Sequence, residues 1–171
     1  MRARKSIPLL ISELETTPFL SLYWECAKAV GALGSRRATR PLIAVVRSAK
    51  ESNRRAAALH ALWLLADRRA VDVCLRVAAD LEGEDEHTRL ISVEALGADI
   101  RRAHTQTAVA RYLGDPSPAV RYSALCAAGR LYRRRIGPVL RAALESATED
   151  PASVYEEGDI AAFARRILSA R

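Results

Sequence analysis

Four pairs of neighbouring arginines recur along the chain at a nearly constant spacing. The pairs are Arg36 and Arg37, Arg68 and Arg69, Arg101 and Arg102, and Arg133 and Arg134, with Arg135 following the last. Successive pairs lie 32, 33 and 32 residues apart. A guanidinium binds a carboxylate or a phosphate through two parallel N–H groups. A row of such pairs could therefore grip an acidic protein strip or a nucleic-acid backbone, or could brace the turns in which the pairs lie.

Positive charge is concentrated in the first half of the chain. The 171 residues include 27 Lys and Arg and 20 Asp and Glu, a formal net charge of +7. Residues 1–79 carry 14 basic and 6 acidic side chains, whereas residues 80–171 carry 13 and 14. This asymmetry favours a site for phosphates or for an acidic partner. Arginine greatly outnumbers lysine, 24 to 3, a bias that a GC-rich genome also produces together with abundant alanine.

No pattern in the sequence indicates catalysis, a metal site or a cofactor. His60, His87 and His104 are spread over three predicted helical hairpins, and none has a second metal ligand at helical spacing. The sequence contains no nucleophile elbow and no glycine-rich phosphate loop. We therefore expect a protein that is not an enzyme and uses no cofactor.

The cysteines and the N-terminus favour a cytoplasmic location. Cys26, Cys74 and Cys126 lie in apolar helical runs, and their odd, scattered number argues against a disulfide framework. We expect them to be small core residues in a reducing compartment. The apolar run near the N-terminus is too short for a signal peptide and is interrupted by Glu13, and no stretch approaches the length of a membrane span. No membrane partner is expected.

The elements that position the arginine pairs are predicted to be helical hairpins. A period of 32–33 residues in helical sequence is typical of a repeat array. Pro8, Pro41 and Pro138 each stand at the start of an apolar run with helical period, which predicts the second helix of a hairpin. Two further second helices are predicted at 70–80 and 104–113.

The first helices precede these and complete the predicted fold. They are predicted to run from Ser21, with Thr17 and Pro18 as cap and first turn, and from Asn53, Glu86 and Pro118. The predicted order is a lone helix at 5–15, hairpins at 17–49, 53–80, 86–114 and 118–147, a loop at 148–158 and a capping helix at 159–171. This is an all-α fold, a single α-solenoid domain over residues 1–171. The lone first helix is either an N-terminal cap, or it is left over because the chain is cut from a longer repeat array.

Other arginines have predicted places in this fold. One arginine per second helix predicts a basic stripe on the inner face, at Arg47, Arg76, Arg111 and Arg141. Arginines of the first helices are expected to tie successive repeats together through Asp67, Asp99 and Asp115; these arginines are Arg55, Arg89 and Arg121. Tyr23, Trp24 and Trp63 are expected to pack between adjacent first helices.

One segment carries a clear family resemblance. The residues LGDPSPAVRYSALCAAGRL, from Leu113 to Leu131, resemble a HEAT repeat, especially the short bacterial kind grouped with phycobilin-lyase-type HEAT-like repeats. The residues that match the turn and first helix are Asp115, Pro116, Val120 and Arg121. Segments around the first two arginine pairs resemble the turn into a second helix of the same family, and the resemblance covers about residues 5–147. Tyr23 departs from it, since an arginine usually stands there.

The resemblance implies a binding scaffold, because most members of the family are scaffolds and a fold alone does not specify an activity. Our preferred hypothesis is a non-catalytic scaffold that presents a basic surface, formed by the arginine pairs, to an acidic protein partner. The alternative is binding of duplex DNA, as some HEAT-like proteins do. A DNA glycosylase is less favoured, because no inner-face aspartate flanked by aromatic residues is evident, and a tetrapyrrole lyase or chaperone is supported only by the repeat itself.

Overall fold

The computed structural model describes residues 5–79, 85–131, 135–154 and 158–170. Within them the helices are α1 (Ile7–Thr16), α2 (Leu20–Leu33), α3 (Thr39–Ser48), α4 (Ser52–Leu64), α5 (Val71–Ala79), α6 (Glu86–Leu96), α7 (Ala103–Tyr112), α8 (Pro118–Ala128), α9 (Pro138–Ala147) and α10 (Ile160–Ser169). Three single 3-10 turns lie at Arg36–Ala38, Arg68–Ala70 and Gly97–Asp99. The predicted all-α class and the alternation of first and second helices are confirmed.

Proline and capping residues begin the helices largely where the sequence predicts. Pro8 lies in the first turn of α1, and Pro138 begins α9. Ser117 caps α8 by accepting a hydrogen bond from the amide of Val120. The predicted start of α2 at Ser21 agrees with the observed start at Leu20 to within one residue. The predicted cap is wrong, because Thr17 is the C-cap of α1 and its hydroxyl accepts a hydrogen bond from the amide of Phe19, which is the N-cap of α2.

The chain divides into two compact units, Met1–Cys74 and Leu75–Arg171. In the N-terminal unit, α1 packs on α2, and α2 and α3 pack on α4. Helices α2 and α4 approach closely, since a β-carbon built on Gly31 would lie 2.5 Å from the β-carbon of Leu64. Glycine therefore allows these two first helices to touch.

Aromatic side chains also fill the interface between α2 and α4. The ring of His60 lies 5.6 Å from that of Trp24 and 5.3 Å from that of Trp63, measured between centroids. The expected packing of Trp24 and Trp63 between first helices is confirmed. Tyr23 is also buried against α4, as expected; its hydroxyl lies 2.5 Å from a carboxylate oxygen of Glu51, and the guanidinium of Arg54 covers its ring.

In the C-terminal unit, α6 packs on α8, and α7 packs on α8 and α9. Helix α10 contacts both α8 and α9 and buries Ile160, Ala164 and Ile167. These three residues recur at helical spacing, so one apolar face of α10 covers the last hairpin. Within the parts of the chain described above, no helix is long and apolar enough to cross a membrane.

The segment between α9 and α10 differs from the predicted loop over 148–158. It contains two short antiparallel strands, β1 (Ser153–Val154) and β2 (Gly158–Asp159), in which Ser153 pairs with Asp159. Gly158 has a φ of 108°, which glycine adopts without strain. The carboxylate of Asp150 accepts a hydrogen bond from the amide of Ala152 and so orders the approach to β1.

Candidate protein-binding surface

The second arginine of a pair braces its turn where an aspartate stands nearby. The carboxylate of Asp67 accepts hydrogen bonds from the guanidinium of Arg69, at 2.5 Å, and from the hydroxyl of Thr39, at 2.8 Å. The same guanidinium donates a bond of 3.0 Å to the carbonyl oxygen of Arg36 in the preceding turn. The hydrogen bonds from Arg69 hold the pKa of Asp67 well below its usual value. Arg69 therefore joins two consecutive turns of the N-terminal unit.

In the third pair, too, the second arginine contacts an aspartate of its own turn. Arg102 pairs with Asp99 at 3.1 Å, whereas Arg101 is exposed and has no carboxylate within ion-pair distance among the described residues. In the fourth turn, Arg135 is exposed and its carbonyl oxygen accepts a hydrogen bond from Gln106. Arg133 and Arg134 lie outside the described residues, and Arg68 begins its 3-10 turn.

The first pair has no brace of this kind. Arg36 and Arg37 are both exposed, and no carboxylate of the described chain lies within ion-pair distance of either guanidinium. The difference has a local cause. Asp67 stands two residues before Arg69, whereas Ser35 occupies the corresponding place before Arg37. Without that carboxylate, the guanidinium of Arg37 is available to a ligand.

Exposed cations continue along the helix that follows this turn. Arg40 and Arg47 are exposed on α3, and seven residues, or nearly two helical turns, place them on the same face. We call Arg36, Arg37, Arg40 and Arg47 the α3 basic surface. Helix α3, which carries two of these arginines, is about 15 Å long, ten residues at 1.5 Å each. Sequence analysis missed Arg40, although its spacing from Arg47 was the available signal.

The remaining residues of the predicted inner stripe lie in the C-terminal unit. Arg76 and Arg111 are exposed, and Arg111 donates a hydrogen bond to the carbonyl oxygen of Ala79 at 3.2 Å. Arg141 is half-buried on α9. Each of the four predicted stripe residues lies on the helix that follows an arginine pair in the sequence.

A groove of the N-terminal unit lies beside the α3 basic surface. It has a volume of about 430 Å³ and is lined by residues of α1 and by Arg37 and Pro41. Its apolar lining includes Pro8 and Ile11. We call it the α1–α3 groove. Glu15 also lines it and lines a second, smaller groove of about 340 Å³ beside Arg54.

The arginines of the first helices form the predicted braces only in part. Arg89 pairs with Asp115 through two hydrogen bonds, of 2.7 and 3.1 Å, as expected. Arg121 pairs instead with Asp150, at 2.6 Å, and this contact lowers the pKa of Asp150. Arg55 donates to the carbonyl oxygen of Ala49. The prediction is wrong for Asp67 and Asp99, because these carboxylates are occupied by the arginines of their own turns.

The three thiols differ in their surroundings. Cys26 and Cys74 are buried, as expected, and burial raises the pKa of Cys74 to about 12. The prediction is wrong for Cys126, which is exposed on α8. In the part of the chain that the structure describes, no group of three or more His, Cys, Asp or Glu residues is arranged to hold a metal ion.

Comparison with known proteins assigns the fold class. No family model matches the chain, and a search of curated proteins gives no match. Among solved structures, the chain is similar to a designed armadillo repeat protein in complex with the peptide (KR)4, with a TM-score of 0.64. The two are 15% identical over 97% of this chain and 85% of that chain. The chain thus has the armadillo/HEAT-like α-solenoid fold, as the repeat pattern predicts.

Proposed function

We propose that the protein is a non-catalytic scaffold that binds an acidic segment of a partner protein on the α3 basic surface. The observation that carries the proposal is the set of exposed cations on one helix and its entry turn, at Arg36, Arg37, Arg40 and Arg47. Among the described residues, none of these four guanidiniums has a carboxylate within ion-pair distance. Guanidiniums without partners can bind carboxylates bidentately without first breaking an ion pair within the chain.

The charge balance of the N-terminal unit supports the same proposal. Residues 1–74 include 13 Lys and Arg and six Asp and Glu. At least three of the six carboxylates already have cationic partners: Glu25 with Lys28, Glu51 with Arg54 and Asp67 with Arg69. The excess positive charge is therefore available to steer an acidic partner towards this unit.

The fold supports a binding role by analogy. Repeat solenoids expose an extended ordered surface on which a partner can lie. The similar designed protein is in complex with a basic peptide. The exposed charge on α3 has the opposite sign to a peptide of that kind, so we expect an acidic ligand here. We also propose that the short bacterial HEAT-like repeats are the relatives of this chain, since Asp115 and Arg121 match their pattern and both form buried or half-buried contacts.

Direct binding of defined probes tests the proposal. Fluorescein-labelled oligoglutamate, oligolysine and a short DNA duplex would be titrated with the protein at physiological salt, with fluorescence polarisation as the readout. We expect oligoglutamate to bind, and the variant R40A/R47A to bind it up to about 25-fold more weakly, because an exposed ion pair contributes up to about 1 kcal/mol. The control R165A/R166A removes the same charge from exposed residues of α10 and should bind normally.

Two outcomes would overturn the proposal. Equal loss of affinity in both double variants would show that only net charge matters. Submicromolar binding of duplex DNA at physiological salt, with affinity falling steeply as the logarithm of salt concentration rises, would make the protein a phosphate binder instead. We expect the duplex to bind weakly or not at all.

A further inference from the structure

The α1–α3 groove combines an apolar wall with one guanidinium. Pro8 and Pro41 lie in the first turns of α1 and α3, and both line the groove with Ile11. Proline has no amide N–H, so these two positions present carbon rather than hydrogen-bond donors. An aliphatic side chain fits such a wall better than a polar one, because burying it there leaves no polar group without a partner.

Arg37 gives the groove its charge selectivity. Arg37 lines the groove, and its guanidinium has no carboxylate partner among the described residues. Arg36 and Arg40 are exposed close by in sequence, which raises the positive potential at the same place. The groove lining also includes one carboxylate, Glu15, which suits a peptide N–H or a cation rather than a second acidic group.

We propose that the α1–α3 groove binds an extended peptide segment of a partner protein, in which an aliphatic side chain stands beside a carboxylate. The aliphatic group lies on Pro8, Ile11 and Pro41, and the carboxylate pairs with Arg37. The volume of about 430 Å³ is in the range of small-ligand pockets and accommodates a short segment rather than a folded domain. This inference rests on the proposed function and specifies its ligand.

Among the second arginines of the pairs that the structure describes, Arg37 is the one without a carboxylate partner. Arg69 occupies the equivalent place in the next repeat, but Asp67 and the carbonyl oxygen of Arg36 hold its guanidinium. Ser35 leaves Arg37 without that carboxylate. The variant Ser35→Asp should therefore capture Arg37 within its own turn and weaken acidic ligands, although Arg37 itself is unchanged.

Three labelled peptides separate the parts of the inference. They are Glu-Glu-Leu-Glu-Glu-Leu-Glu-Glu, its counterpart with Ser for Leu, and its counterpart with Lys for Glu. Fluorescence polarisation with the full chain should show the leucine peptide binding at least about fivefold more tightly than the serine peptide, since each buried leucine contributes apolar area. The lysine peptide should bind most weakly.

Variants locate the binding in the groove. Ser12→Trp fills the groove from an exposed position of α1 and should abolish the preference for leucine over serine. Its control, Leu9→Trp, changes a neighbouring residue that is 72% exposed and does not line the groove, and should keep the preference. Ser35→Asp should weaken both acidic peptides by up to about fivefold, whereas Ala32→Asp, an equal charge change on the exposed face of α2, should weaken them less.

The outcomes distinguish the inference from the function on which it rests. If the leucine and serine peptides bind equally well and Ser12→Trp changes neither affinity, the groove is not the binding site. The proposal of a scaffold for an acidic partner would still stand. Tighter binding of the lysine peptide than of either acidic peptide would overturn both. If Ser35→Asp and Ala32→Asp weaken the acidic peptides equally, Arg37 is not part of the binding site. Near-native circular dichroism of each variant would establish that binding, and not folding, had changed.

Discussion

Replacing Gly31 by alanine should force α2 and α4 apart. The added β-carbon would lie 2.5 Å from both the β-carbon and a δ-carbon of Leu64. Non-bonded carbons prefer separations of about 3.5–4.0 Å, so the helices would have to shift by roughly 1 Å. The β-carbon of Leu64 is fixed to its backbone, and rotation of the side chain therefore cannot relieve the contact.

Two opposing contributions determine how much Gly31→Ala changes the free energy of unfolding. Overpacking in a core costs about 1–3 kcal/mol, whereas replacing a helical glycine by alanine gains up to about 1 kcal/mol in helix propensity. We expect a net loss in the free energy of unfolding of about 1–2 kcal/mol. For a chain of this size, that loss corresponds to a decrease of about 2–8 °C in the Tm.

Thermal denaturation followed by circular dichroism measures this shift. The control Gly114→Ala places its β-carbon 3.6 Å from the nearest atom, an ordinary contact, and should leave the Tm almost unchanged. The double variant G31A/L64A should recover part of the loss, because the γ- and δ-carbons of Leu64 are removed. A Tm for Gly31→Ala equal to or above that of the wild type would refute the close approach of α2 and α4.

Three further predictions concern ion pairs, pH and thiols. Arg121→Met should lower the free energy of unfolding by about 2–4 kcal/mol in urea titrations. This is less than the full cost of breaking a buried ion pair, because the side chains of Arg121 and Asp150 remain 15% and 12% exposed. A loss under about 0.5 kcal/mol would show that the pair is only a surface contact. Asp67 has a lowered pKa in the folded chain, so its stabilisation is present above the unfolded value of about 4 and is lost as the pH falls below it. Asp67→Asn should therefore be less stable than the wild type at pH 7 and lose less stability between pH 5 and pH 3; parallel losses in both proteins would contradict this. A maleimide reagent should label Cys126 in the native protein well before Cys74. Cys74 is buried and has a pKa of about 12, so little of its reactive thiolate is present. Equal labelling rates for the two thiols would contradict the burial of Cys74 on α5.

The helical hairpins could be predicted from sequence because apolar residues at helical spacing are buried only when the helices that carry them pack together. A stripe of apolar residues at helical spacing must be buried, and proline in the first turn marks where a helix begins. Helix α4, predicted from Asn53, begins at Ser52, and α9 begins at the predicted Pro138. Cys126 was harder to place, because α8 is apolar on most sides and buries Leu125 and Ala127, the residues next to Cys126.

The candidate site was less accessible to sequence reasoning. Arginine pairs are visible as letters, but whether a guanidinium braces a turn or faces a ligand depends on a carboxylate two or three residues away, as Arg69 and Arg102 show. The pairing of Arg121 with Asp150 joins residues 29 positions apart across an irregular segment, and no local rule specifies it. The groove arises only when α1 and α3 come together, so its lining had no linear signature.

The bond from Asp67 to Arg69 also bears on how such a repeat protein can change over evolution. One carboxylate decides whether the second arginine of a pair belongs to the framework or to the recognising surface. Specificity can then diversify repeat by repeat through single exchanges at positions such as Ser35, and the architecture that carries it is conserved.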